Sequence, residues 1–252
     1  MRNKLFIFKK NKNDKLKKVE FHVHTCYSKD SILTFPFILL MCKLKKINCI
    51  AITDHNEITG AILYKEKLKK YGVEVIVGEE IFSKDGEIIG LYLKEKIPEN
   101  LSASETVALI KKQNGIVYIP HPYDEKRKKT VLTLDALKEI VDEVDLMESY
   151  NGRNIKKYYQ QKQKHIVREN NLVGVVGSDA HTFYELGRNY CLLKSTNKDE
   201  IVKSINDGLF FTKSCIKYAH FNTKIAKVIQ LVKRRDINGL CRIINNKCKG
   251  KM

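Results

Sequence analysis

The sequence predicts an α/β fold, a single body in which repeated β-α units surround a parallel sheet. Two observations carry this: short β-branched runs alternate with amphipathic helical stretches, and 252 residues suit one large domain better than two small ones. The first strand is expected over Val19 to Val23. Further strands follow over Cys49 to Thr53, Val73 to Val77, Ile116 to Ile119, Val144 to Glu148 and Leu172 to Val176. Between them, Pro36 to Lys46, Ile58 to Lys70, Ser104 to Asn114, Leu134 to Val141 and Ile155 to Asn170 read as helices. Lys84-Asp85-Gly86-Glu87 has turn chemistry and is expected to close a hairpin between Glu80 to Phe82 and Ile88 to Leu93. No internal repeat, low-complexity stretch or Pro/Gly-rich linker divides this body before residue 215.

Composition excludes several classes of protein. The first eighteen residues are basic and lack the apolar stretch and small-residue cleavage site of a signal peptide. The greasiest run, Ile32 to Cys42, falls well short of the roughly twenty residues that span a bilayer. A soluble, cytoplasmic protein with no membrane partner is expected. Seven cysteines (26, 42, 49, 191, 215, 241 and 248) make an odd count without a CxxC pair, which argues against a disulfide framework or a thiolate zinc site. Cys26, two residues after His24, is either a neighbour of a metal site or a small residue filling space.

The formal charge of +18 raises nucleic acid as a partner, because Lys and Arg neutralise phosphates and release counterions. Only eight of the 47 basic residues are arginine, however, and the lysines are scattered over nearly every segment. That spread describes solvated helix surfaces better than a dedicated groove. Lys126-Arg127-Lys128-Lys129 and Lys233-Arg234-Arg235 remain candidate phosphate-backbone contacts.

Four short clusters carry the functional signal: His22-Val23-His24, Thr53-Asp54-His55, His121-Pro122 and Ser178-Asp179-Ala180-His181. They hold five of the seven histidines. Each falls at the C-terminal end of an expected strand, as do Glu79, Glu80 and Glu148. In a parallel barrel those ends share one face, so residues distant in sequence converge there. Imidazoles and carboxylates supplied from separate segments are what several divalent cations need, because each ion takes three or more ligands from different directions. Alternation along a strand sends His22 and His24 to the same side. His165, on a lysine-rich helix, and His220 read as surface or packing residues.

The segments His22-Val-His24-Thr-Cys-Tyr-Ser-Lys-Asp30, Ile52-Thr-Asp54-His55-Asn56, Gly78-Glu79-Glu80, His121-Pro122, Glu148-Ser-Tyr-Asn151-Gly-Arg153 and Gly177-Ser-Asp179-Ala-His181 occur in one order. That order resembles the PHP (polymerase and histidinol phosphatase) family. The resemblance implies a distorted (β/α)7 barrel over residues 19–215; outside the motif set, residues 216–252 read as a basic C-terminal helical extension packed on it. Within that extension Thr223 to Lys233 and Leu240 to Asn246 look like short amphipathic helices, and their basic residues suit an anionic partner. The resemblance also implies two or three divalent ions, for which manganese, iron and zinc all fit. One ion would be held by His22, His24, Glu80 and Asp179. A second would share Glu80 and take His121, and a third would use Asp30, His55 and His181.

Two departures from the family pattern matter. Many relatives place a further histidine after the bridging glutamate, where this chain has Glu87-Ile-Ile-Gly90-Leu, so the second ion is expected to be weaker or to borrow Glu87 or Glu148. The usual aspartate two residues before the first histidine is Glu20 here.

The implied reaction is hydrolysis of a phosphoester by metal-activated water. Neither a Ser- or Cys-nucleophile motif nor a GxxxxGK phosphate loop competes with it. Candidate catalytic residues are Asp54, Arg153 and Arg188. Asp54 either orients a ligand or the attacking water, or caps the helix beginning near Ile58. Arg153 and Arg188 would each grip a phosphate or form a structural ion pair. Tyr27, Tyr123 and Tyr150 would stack a base or pack at the rim. A phosphorylated small molecule or nucleotide is the expected substrate; a nuclease acting on RNA or DNA ends and a noncatalytic binding module are the alternatives.

Overall fold

Strand direction decides where the site lies. The computed structural model describes residues 16–216, 219–233, 235 and 236. The expected helix over Leu240 to Asn246 and the side chain of His220 lie outside what is described. In chain order the elements are β1 (Lys17–Val23), α1 (Phe35–Lys45), β2 (Cys49–Ile52), α2 (Thr59–Lys69), β3 (Glu74–Ser83), β4 (Gly86–Leu91), α3 (Ala103–Lys112), β5 (Ile116–Ile119) and α4 (Leu134–Ile140). These are followed by β6 (Leu146–Asn151), α5 (Lys157–Glu169), β7 (Val173–Ala180), β8 (Tyr190–Leu193), α6 (Lys198–Asn206), β9 (Leu209–Phe211) and α7 (Ala219–Lys233).

The sheet runs β2-β3-β4-β5-β6-β7-β1-β8-β9, and a further β2–β1 pairing closes its first seven strands into a barrel. The result is the distorted seven-stranded α/β barrel that the motif order implies. It is mixed rather than purely parallel: β4 runs antiparallel to both β3 and β5. The cause is the hairpin at Lys84–Asp85, where Gly86 has φ 134° and its Cα faces the Leu132 backbone so closely that a Cβ there would meet Leu132 Cα at 2.5 Å. Strands β8 and β9 and helix α6 were not among the expected elements.

Alternation along the strands separates two apolar clusters. Ile50, Ile52, Val75, Val77, Ile81, Ile88, Val117 and Ile119 face outward and pack with α1 to α5 through Ile38, Tyr64, Leu68, Val107, Ile110, Leu137 and Val167. Val19, Phe21, Cys49, Ala51, Ile76, Ile89, Tyr118, Leu146 and Val175 join Ile201 and Ile205 of α6 in the second cluster. Burying each of the Val, Leu, Ile and Phe side chains stabilises the fold by roughly 1.5–3 kcal/mol, and this apolar support fixes the strand ends that carry the polar residues. No helix among the described residues is long and apolar enough to cross a membrane.

Candidate metal centre

The parallel pairings among β1, β2, β5, β6 and β7 send their C-terminal ends to one face. There His22 lies at the end of β1 and His24 just after it, Asp54 and His55 follow β2, His121 follows β5, Glu148 lies in β6, Asp179 lies at the end of β7 and His181 just after it. Glu80 comes from β3, which outlasts β2. Alternation puts Glu80 and Phe82 on one face of β3. Glu87 stands opposite Phe82 across the β3–β4 ladder, which is the diagonal neighbour of Glu80.

Three of these residues adopt left-handed backbone although none is glycine: His22 (φ 63°), His121 (φ 27°) and Asp179 (φ 52°). Such conformations cost on the order of 1–3 kcal/mol each and persist only where the surroundings over-determine them. The β1–β7 register slips between Phe21 and Val23, which bends both strand ends and re-aims His22 and Asp179.

The ligand atoms converge. His22 Nε2 and His24 Nε2 lie 3.2 and 3.3 Å from the two oxygens of Glu80, and 3.8 and 3.7 Å from Asp179 Oδ1. His121 Nε2 is 3.1 Å from Glu80 Oε1 and 3.3 Å from Glu87 Oε2. Asp30 sits 3.4 Å from His181 Nε2 and 3.6 Å from His55 Nε2, while His55 Nδ1 faces Glu80 at 3.0 Å and Glu87 at 3.4 Å. Glu80 thus touches four imidazoles and stands at the middle of the cluster.

Hydrogen bonds behind the imidazoles determine which nitrogen faces inward. His22 Nδ1 donates to Glu148 Oε1 (2.7 Å), leaving the Nε2 lone pair directed at Glu80. Ser28 Oγ donates to Asp54 Oδ1 (2.7 Å) and therefore accepts from His24 Nδ1 (3.3 Å), which turns His24 Nε2 into the site. Asp54 also accepts from the Thr25 amide and hydroxyl, so it holds the His24 turn from behind. It does not cap α2, whose N-terminal residue Ile58 has no side-chain cap. Glu148 is saturated, accepting from His22 Nδ1, Tyr118 Oη (2.6 Å), the His121 amide (2.7 Å) and Asn151 Nδ2 (2.8 Å). Gly177 makes room for it: a Cβ there would lie 1.8 Å from Glu148 Oε1.

These residues fit divalent cations on the chemistry of the donor set. Two donors each about 2.1 Å from one ion at tetrahedral angles stand about 3.4 Å apart, and the imidazole–carboxylate spacings of 3.1–3.8 Å match that better than the 2.7–2.9 Å of a charge-assisted hydrogen bond. His22 Nε2, His24 Nε2, Glu80 Oε2 and Glu87 Oε2 are buried without a hydrogen-bond partner. Buried polar atoms are otherwise almost always satisfied. The atoms of His22, His24 and Glu80, of His22, His121 and Asp179, of His24, His55 and His181, and of His55, Glu80 and Glu87 each form a set that could hold a metal ion.

The electrostatics tell the same story. Burial presses the His22 and His55 imidazoles toward neutrality, but Glu80 with Asp179 and Glu148, or with Asp30, pulls both well above the usual histidine range. His121 is likewise pushed up to about 9, against burial and Arg127, by the neighbouring carboxylates of Glu80 and Glu87. His24, buried beside His181 and His55, is driven well below the usual range. The cluster without metal therefore holds protons where cations would sit.

Above it opens a cavity of about 910 Å³ whose wall includes Asp30, His55, Glu87, Asp179 and His181. Arg153 also lines it; its Nε is 3.1 Å from Glu185 Oε1, its Nη1 is 3.1 Å from His181 Nδ1, and it donates to Ala219 O of α7 (2.8 Å). Arg188 donates to Ser214 O (3.1 Å) and is not part of that wall. Arg127, which the sequence offered only as one of a basic block of candidate phosphate-backbone contacts, belongs beside the metal residues. Its guanidinium bonds Asp179 Oδ2 and lies 3.5 Å from Asp124, at the floor of the cavity. The spacing after His121 was the one available signal, because the loop that swings Arg127 inward has no periodicity. Helix α7 supplies Lys224 and Lys227 to the rim and is tied back by Gln230, which donates to Ser31 O (2.6 Å).

An α/β barrel with a histidine–carboxylate cluster at the strand ends defines the class of protein. The sequence pattern of the PHP domain matches residues 20–235, and the chain belongs to the PHP domain family. It is 32% identical over 182 residues to an uncharacterized Methanocaldococcus jannaschii protein, MJ0417, covering 71% of this chain and 72% of that one. A second uncharacterized protein of the same organism, MJ1587, is 45% identical over 116 residues, covering 42% of this chain and 68% of the relative. Among solved structures, a two-domain Bacteroides vulgatus protein containing a predicted PHP-like metal-dependent phosphoesterase superposes with a TM-score of 0.66 at 17% identity, covering 79% of this chain. This chain spans 65% of that two-domain protein. PsfC from Pseudomonas syringae superposes with a TM-score of 0.60 at 16% identity, covering 86% of this chain and 98% of PsfC.

Proposed function

We propose that the protein is a divalent-metal-dependent phosphoesterase that hydrolyses a phosphorylated small molecule or nucleotide. The observation that carries this reading is the set of buried imidazole and carboxylate atoms that face one another at ion-sharing distances without hydrogen-bond partners. His22, His24, Glu80 and Asp179 would hold one ion, Glu80 and His121 a second, and Asp30, His55 and His181 a third; manganese, iron and zinc all suit such donors. When bound, the ions would supply Lewis acidity toward a phosphoryl oxygen and activation of water.

The chain's own groups would do the rest. Arg127 and Arg153 line the cavity beside the cluster, and their guanidinium forks suit phosphate oxygens. With one Asp179 oxygen facing His22 and His24 and the other bound by Arg127, the carboxylate couples the metal position to the phosphate position. Asp54 acts as a positioning residue for His24 through Ser28. The chain would divide into a barrel over 19–215 and an extension over 216–252, whose helix α7 supplies Lys224 and Lys227 to the cavity rim.

A second reading, cleavage at the end of an RNA or DNA strand, is favoured by Lys29, Lys96, Lys126, Lys224 and Lys227 around the same cavity. Phosphomonoesters, dinucleotides and single-stranded RNA or DNA, each assayed with added Mn²⁺, separate the two. Hydrolysis is expected to require the metal, and Asp179→Ala should reduce it to the level of chelator-treated protein while far-ultraviolet circular dichroism stays unchanged. Full activity in that variant would sink the metal-hydrolase reading.

A further inference from the structure

We propose that Glu87 is a direct ligand of the second ion, with Glu80 and His121, and that it gives this position an oxygen-weighted donor set favouring Mn²⁺ over Zn²⁺. The inference rests on the metal-centre reading above and deepens it by assigning Glu87, rather than Glu148, to the second ion. Glu87 is 4% exposed, and its Oε2 has no hydrogen-bond partner. Its carboxylate lies between two imidazoles, 3.4 Å from His55 Nδ1 and 3.3 Å from His121 Nε2. Both separations exceed those of charge-assisted hydrogen bonds and match the spacing of atoms around a shared cation.

Glu148, the other carboxylate that the sequence offers for the second ion, does not compete. Both of its oxygens are engaged, Oε1 by His22 and Tyr118 and Oε2 by the His121 amide and Asn151, and it approaches His121 through the backbone rather than the ring. Glu87 has no such set of donors. The hairpin explains its position: Glu87 follows Gly86 at the start of β4, its amide is tied to Thr130 O (2.8 Å), and the ladder sets it opposite Phe82 on the face that carries Glu80. The backbone is therefore held on both sides of a side chain whose polar end points into the cluster.

The donor set has a chemical consequence. With Glu80 and Glu87 both present, the second position offers two anionic carboxylates for one or two imidazoles. Carboxylates suit Mn²⁺, whereas imidazoles suit Zn²⁺ and other later ions. An imidazole at position 87 would reverse that weighting.

The test uses the full chain stripped with chelator and titrated with Mn²⁺ alone or Zn²⁺ alone, reading stoichiometry and affinity by calorimetry and metal content after gel filtration. In Glu87→Gln one class of Mn²⁺ sites should weaken at least tenfold or vanish, while the remaining ions bind as in the unchanged protein. Glu87→His should restore the site and lower its ratio of Mn²⁺ to Zn²⁺ affinity. Wild-type Mn²⁺ binding retained in Glu87→Gln would overturn the proposal and leave the centre intact. No binding of either metal by the wild-type chain would instead overturn the centre. Should Glu87→Gln fail to fold, an unaltered metal preference in Glu87→His would still refute the assignment.

Discussion

Glu20 is fully buried in β1, two residues before His22, and one carboxyl oxygen accepts from the Gly187 amide at 2.6 Å. Burial pushes its pKa up to about 8, against the smaller opposing effect of that amide and Ser178. An acid whose folded pKa is raised keeps its proton in the native state while the unfolded chain loses it. Stability is then greatest below the ordinary carboxylate range and declines as pH climbs from about 4.5 to about 8. Glu20→Gln keeps an acceptor for Gly187 and removes the ionisation. The variant should gain relative to the wild type on going from pH 5 to pH 9, by roughly 2–4 kcal/mol of unfolding free energy. Denaturant unfolding at the two pH values measures this, and parallel behaviour of the two proteins would show that Glu20 titrates normally. At the same scale, legibility in the sequence divides by how locally a residue is placed. His22, His24, Asp179 and His181 could be read from spacing because alternation and strand ends decide where they point. Arg127 could not, since its inward turn depends on Asp124 and Asp179, and the latter lies 52 residues away.

Helices and strands show the same division between local and distant causes. Helix α3 begins at a capping box: the Ser102 hydroxyl accepts from the Glu105 amide (3.2 Å) while Glu105 returns the bond to the Ser102 amide (2.8 Å). Ser102→Ala should cost about 1 kcal/mol, read as a lower denaturation midpoint with unchanged slope, and no loss would mean that water replaces the cap. That start, one residue from the sequence expectation, was legible because the signal is local. Strands β2 and β5 and helix α4 also fall within a residue or so of their expected limits, since the two strands are short apolar runs and the helix starts at a Thr133 cap. The strands β8 and β9 were not legible. Tyr190–Leu193 is too short for periodicity and becomes a strand by pairing antiparallel with Lys17–Val19 of β1, about 170 residues earlier in the chain. Helix α7 starts at Ala219, four residues before the expected Thr223, where Arg153 bonds Ala219 O and the Thr223 hydroxyl. A buried guanidinium from a distant strand end thus holds the first turn of α7.

For the whole molecule, motif order was enough to indicate a seven-stranded barrel with its polar residues at one mouth, because each motif sits where its strand ends. The sequence left Glu87 as one of two candidates beside the second position, since where its carboxylate lies follows from barrel closure and the β3–β4 hairpin. Ions that bind the folded chain and not the unfolded one stabilise it by mass action, by about 2.7 kcal/mol at a free concentration one hundred times the dissociation constant. The size of that effect should depend on pH in a defined direction. The raised pKa values of His22, His55 and His121 mean that, without metal, protonated imidazoles paired with carboxylates stabilise the fold below the ordinary histidine pKa of 6.5. This contribution is lost as pH rises through the folded values, about 9 for His121. A cation competes with those protons and replaces their role, so its binding releases them and strengthens as they leave. Added Mn²⁺ should therefore raise the thermal midpoint of chelator-stripped protein more at pH 8.5 than at pH 6, with the smaller increment at pH 6 recovering at higher metal concentration. Equal increments at both pH values would mean that the ions are held by groups outside this histidine–carboxylate cluster.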